Sequence, residues 1–151
     1  MRRAAMVLVI LASLFAGSQI ACSQVTTYSE SIYIPGSGTT DEKLALAQKI
    51  GGEVWQSGLQ SQVKTAFPSI SAEQLSGVFI RWETVTVTPV SGSETSSTGV
   101  RIRTGVDSRG DLDDARAIAS LCGDIVESAV SSAFPGLDIY RLDSTEQRVG
   151  L

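Results

Sequence analysis

The chain has 151 residues, 42% of them apolar and 19% charged, with a net charge of −4 and no histidine. That size and composition suit one folded domain with a modest core and exclude a chain too polar to collapse. The acidic balance argues against a general nucleic-acid role, which needs a basic footprint, and the missing histidine removes Ser-His and Cys-His nucleophilic mechanisms.

Residues 1–21 read as an export signal. Arg2 and Arg3 form a basic start, Met6–Ala16 is an unbroken apolar run apart from Ser13, and Gly17, Ser18 and Gln19 end it. The run is short for a membrane span. Its end, Gln19-Ile20-Ala21-Cys22, resembles the bacterial lipoprotein lipobox: Ile20, Ala21 and Cys22 fit the pattern, while Gln19 stands where leucine is usual. The resemblance covers residues 1–22. It implies that Cys22 receives diacylglycerol, becomes the mature N-terminus and anchors the protein to the membrane. Ordinary signal-peptidase cleavage after Ser23 is the alternative, and an uncleaved anchor is a third. Loss of the leader removes Arg2 and Arg3 and takes the net charge to −6. Residues 22–24 are then a tether, 25–143 the domain and 144–151 a loose C-terminal tail.

Val25–Ile34 is rich in β-formers and reads as a first strand. Pro35-Gly36-Ser37-Gly38 is a turn, and Thr39-x-x-Glu42 fits a capping box. A helix follows from Asp41 to Phe67, with Leu44, Ala47, Gly51, Val54, Leu59, Val63 and Phe67 along one stripe. Gly51, Gly52 and Gly58 each weaken it by about 1 kcal/mol, and a break at Gly58 is the alternative. Pro68–Ser76 is a connector with one helical turn at Ser71–Gln74.

Val78–Thr88 is a strong strand. Val78, Ile80 and Trp82 share one parity and Val85 and Val87 the other, which predicts a bulge at Glu83-Thr84 or a strand covered on both faces at one end. Pro89–Thr98 is a polar hairpin loop. Gly99–Asp107 returns with clean alternation, Val100, Ile102, Thr104 and Val106 against Arg101, Arg103 and Asp107.

Asp111–Leu142 contains the clearest pattern: a helix with Leu112, Ala115, Ile118, Ala119, Cys122, Ile125, Val126, Ala129, Val130 and Ala133 on one stripe, capped by Asp111, then a strand at Leu137–Leu142. Ala66-Phe67-Pro68 is echoed by Ala133-Phe134-Pro135 at the two helix ends. The order strand, helix, strand, strand, helix, strand predicts an α+β domain. The expected arrangement is a ferredoxin-like βαββαβ fold, with a four-stranded antiparallel sheet and two helices on one face. Cys122 lies on the apolar stripe and is expected as a buried free thiol. A Cys22–Cys122 disulfide is the alternative if Cys22 stays unmodified.

No constellation points to a specific chemistry, and no cofactor or metal is expected. Gly36-x-Gly38 lacks the third glycine of a dinucleotide loop, since Asp41 stands there. Asp107, Asp111, Asp113 and Asp114 lack the spacing of a calcium loop and read as helix capping. Arg81, Glu83, Arg101 and Arg103 fall on the sheet face away from the helices. They form either a partner-binding surface or ordinary cross-strand pairs. Trp82 and Trp55 are expected to pack in the core. These features predict a non-enzymatic, exported, membrane-tethered protein-binding or envelope assembly module, whose partner is another envelope or secreted protein. The contact would be the arginine face or an edge strand. An inhibitor or chaperone-like domain acting on a secreted hydrolase through Pro89–Thr98, and an enzyme using Glu83 with Asp107, are the alternatives.

Overall fold

The computed structural model describes residues 24–36, 40–87, 97–109, 113–136 and 139–149, with backbone alone at 40, 87, 97 and 142–149. The protein is α+β, with one open four-stranded antiparallel sheet and four helices among the described residues. In chain order these are β1 (Val25–Ile34), α1 (Thr40–Gln56), α2 (Leu59–Ala66), α3 (Ala72–Ser76), β2 (Val78–Val87), β3 (Ser97–Arg109), α4 (Ala115–Ala133) and β4 (Tyr140–Val149). The sheet order is β2-β3-β1-β4. Every neighbouring pair is antiparallel. The leader, Cys22, the loop at 88–96 and the expected caps at Thr39 and Asp111 lie outside the described residues.

The core forms where α1 and α4 meet the sheet and each other. Ile32 and Ile34 of β1, Val100, Ile102 and Val106 of β3 and Val78 of β2 supply the sheet side. Ala47, Ile50 and Val54 of α1, Leu59 and Val63 of α2, and Ile118, Cys122, Val126 and Val130 of α4 supply the helical side. The periods of 2 and 3.6 read from the sequence therefore converge on one layer, whose burial away from water is the main favourable term.

The expected helix from Asp41 to Phe67 is two helices. Gly58 takes φ 93°, a left-handed conformation that ends α1 and redirects the chain into α2. The anticipated turn at Ser71–Gln74 is α3, closed by a capping box: the Gln74 N–H donates to Ser71 Oγ and the Ser71 N–H to Gln74 Oε1, each at 3.1 Å. The two Ala-Phe-Pro sequences end their helices alike. Phe67 and Phe134 adopt nearly the same backbone (φ −124°, ψ 75° and φ −122°, ψ 64°), and each N–H donates to the carbonyl four residues back.

Other expectations change, and β3 is longer at both ends than Gly99–Asp107. No bulge interrupts β2, whose register against β3 is regular from Val78 to Val87. Val85 lies on the other parity, opposite Gly99, whose missing side chain leaves space that the Tyr33 ring occupies. The last helix begins later than expected, with Asp114 at its N-terminal cap position. The last strand begins at Tyr140 and runs on to Val149, where it pairs with Val25, so the segment 144–149 expected as a loose tail is sheet.

Candidate functional site

The sheet face opposite the core carries the predicted arginines, and the structure pairs one of them with the predicted Glu83 and the other two with Asp107 and Ser29. Glu83 and Arg101 are directly opposed across β2 and β3, and Arg101 Nε donates to Glu83 Oε1 at 2.6 Å. Arg81 passes over the Phe79 ring, 4.3 Å from its centroid, and donates through Nη2 to Asp107 Oδ2 at 2.9 Å. Arg103 donates to Ser29 Oγ at 3.1 Å. These four residues thus form the cross-strand lattice of an outer sheet face. Because the two ion pairs stay partly solvated, each is worth roughly 0–1 kcal/mol.

The carboxylates of the enzyme alternative are not brought together. Glu83 stands opposite Arg101, and Asp107 lies six residues further along β3, about 20 Å away at strand rise. Asp107 instead borders a polar cleft of about 670 Å³ where α3 meets the end of β3, together with Glu73, Gln74, Ser71 and Arg109. Both Asp107 oxygens already accept hydrogen bonds, Oδ1 from Thr27 at 2.7 Å and Oδ2 from Arg81. Its carboxylate is held as a structural acceptor.

A stronger ionic cluster, not anticipated from the sequence, joins β4 to α4. Arg141 enters from the sheet edge and donates to Glu30 Oε2 at 3.3 Å, to Glu127 Oε2 at 3.1 Å and to Asp124. It also reaches the Ser120 carbonyl at 3.0 Å. Gly123 makes the approach possible, since a Cβ there would lie 2.7 Å from Arg141 Nη2. The hydrogen bond to Asp124, with Glu30 and Glu127 beside it, raises the guanidinium pKa further above its ordinary value despite partial burial. Glu30 is only 8% exposed, so Arg141 is what keeps a nearly buried carboxylate compensated. Four residues spread over three elements, separated in sequence by up to 111 positions, leave no local signature.

The second unanticipated feature is apolar. Trp55 and Trp82, expected in the core, are 44% and 37% exposed. Trp82 does point towards α1, against Gly51 and in register with Ile102, but β2 is an edge strand among the described residues and the ring stays partly open. Both tryptophans line a groove of about 330 Å³ with Gly51, Gly52, Val78, Phe79 and Ile80. Parity reports the face of Trp82 correctly. It carries no information on position within the sheet, which decides exposure.

Cys122 is a buried free thiol, as its place on the helical stripe implies. Burial raises its pKa from 9.0 to about 11, partly offset by a hydrogen bond with Thr104, so it stays protonated and poorly nucleophilic at neutral pH. Among the described residues no helix is long and apolar enough to cross a membrane. Comparison with protein-family models and with curated proteins finds no match for this chain.

Proposed function

We propose that this chain is an exported, non-enzymatic protein-binding module of the cell envelope, tethered by lipid on Cys22. We further propose that its domain has the ferredoxin-like βαββαβ arrangement with α1 and α4 on one sheet face. The strand order β2-β3-β1-β4 supports that arrangement, as do the contacts of α1 with β2 and β3, of α4 with β1 and β3, and of the two helices with each other.

One observation carries the binding reading: two tryptophans line a single apolar groove beside an edge of β2 that is unpaired among the described residues. Tryptophan is among the residues most enriched in interface hot spots, and a free strand edge offers main-chain hydrogen bonds to a partner. The arginine face supports the reading less, because its charges are matched internally.

Two measurements test it. Intact mass of the mature protein should equal the chain from Cys22 plus acyl groups. A cytosolic chain retaining Met1 overturns export and tether together. A photoreactive amino acid in place of Trp55, in cells expressing the full chain, should give discrete protein adducts, and their absence overturns the binding reading.

A further inference from the structure

The outward edge of β2 has a definite hydrogen-bonding phase. Gly77 accepts from the Asp107 N–H at 2.9 Å, and the regular register places residue 77 opposite 107. In an antiparallel ladder hydrogen-bonded positions alternate. Residues 79, 81, 83 and 85 therefore bond inward to β3. Residues 78, 80, 82, 84 and 86 turn their N–H and C=O groups to the outer edge. Trp82 is the middle of these five.

The sequence of this edge is complementary to itself. Two copies paired antiparallel about Trp82 place Trp82 opposite Trp82 as a hydrogen-bonded pair, Ile80 opposite Thr84, and Phe79 opposite Val85. They also place Arg81 of each copy opposite Glu83 of the other. Shifting the centre to Arg81 opposes two arginines, and shifting it to Glu83 opposes two glutamates. Centres at Ile80 or Thr84 leave both charges against apolar or neutral residues. Only the register centred on Trp82 matches opposite charges, which favour cross-strand pairing. Arg81 and Glu83 keep capacity for a second partner, with side chains 58% and 44% exposed despite their internal pairs.

Two further features agree. β2 has no lysine, proline or register irregularity, the usual devices that keep a strand edge from pairing. The same axis would bring the two exposed Trp82 rings towards each other, and with them the apolar grooves that they line.

We propose that two copies of this chain join through their β2 edges about a two-fold axis at Trp82, making one continuous eight-stranded sheet. This rests on the protein-binding reading and names the partner as a second copy. The test uses full chains carrying two different tags, co-expressed and captured through one tag. Arg81→Glu alone sets acidic residues against each other across the axis, and Glu83→Arg alone sets basic ones. Each variant should self-associate about tenfold more weakly than the original chain.

Mixing Arg81→Glu chains with Glu83→Arg chains restores both opposite-charge pairs, and association should return to near the original level. If both variants self-associate as well as the original, or if the mixture fails to recover while both remain folded by circular dichroism, the proposal is overturned. If the original chain captures no second copy, yet the photoreactive group at position 55 attaches to a different protein, self-pairing is overturned and the binding reading stands. If no adduct of any kind forms, both fall.

Discussion

The two edges of this sheet are finished differently. At one, β4 is drawn against α4 by Arg141, whose guanidinium meets Glu30, Asp124 and Glu127. Its sequence also carries Asp143, Glu146 and Arg148, and its register against β1 shifts between Ser29 and Ser31. At the other edge, β2 is regular, has two charges in ten residues, and presents Trp82 with Trp55 beside it. Charge and irregularity protect an edge from pairing, whereas regularity and exposed aromatic surface invite it. The contrast teaches that charge within a fold can serve opposite ends: around Arg141 it secures the fold, and around Trp82 it selects a register.

Substitutions that separate stability from association distinguish the two edges. The largest change in stability is expected for Arg141→Ala, which leaves Glu30 nearly buried and uncompensated. Denaturant unfolding should show a loss of about 3 kcal/mol, the lower end for a broken buried ion pair. The surviving folded protein should still self-associate. Adding Glu30→Gln should recover part of the loss, and no recovery would remove the buried carboxylate from the explanation.

Trp82→Thr is expected to do the reverse. Threonine keeps strand propensity, so unfolding should shift by about 1–2 kcal/mol, the contribution of a partly exposed ring, while capture of a second copy is lost. Equal capture would assign the edge no role.

Smaller still is Arg101→Ala on the outer face, where the pair with Glu83 is half solvated. Unfolding should change by less than about 1 kcal/mol. A larger loss would mean that the outer face shares the stabilising role of Arg141.

Cys122 lies against Thr104 of the central strand β3, away from both edges, and serves as a control on the core. Its pKa is raised in the folded protein, so its contribution to stability is fully present below pH 9 and is lost as pH rises towards 11. Stability measured across that window should fall, and Cys122→Ala should flatten that part of the profile. An unchanged slope would place the thiol in contact with water.

Much of this architecture is legible in the sequence because it is written in short-range periodicity. The bounds of β1 follow to the residue, the alternation of β3 sorts its two faces, and the stripe of α4 picks out Ile118, Cys122, Val126 and Val130 as core. Even the Ala-Phe-Pro echo is physical, a pair of helix ends with one backbone geometry. Parity places Arg81, Glu83, Arg101 and Arg103 on one face, and the strand register then sets Glu83 opposite Arg101.

The features that escape the sequence depend on position across the sheet. Periodicity says which way a side chain points, and strand order says what lies there. Trp82 faces α1 but stands at an edge of the described sheet. Glu30 reads as one polar residue in a strand until β4 brings Arg141 beside it. Strand β4 itself reads short because Asp143, Ser144 and Glu146 are poor β-formers, and only the exposed side of β1 makes pairing there favourable.

The direction of β1 has a geometric consequence for such a pair of copies. An axis perpendicular to the sheet sends the two Val25 ends opposite ways, about 50 Å apart by strand rise and spacing. The residues from Cys22 to Gln24 extend no more than about 10 Å. If Cys22 carries lipid as proposed, two acyl anchors on leashes that short, at opposite corners of one slab, would hold it flat along the bilayer like a plank pinned at both ends, with the strands running parallel to the lipid surface.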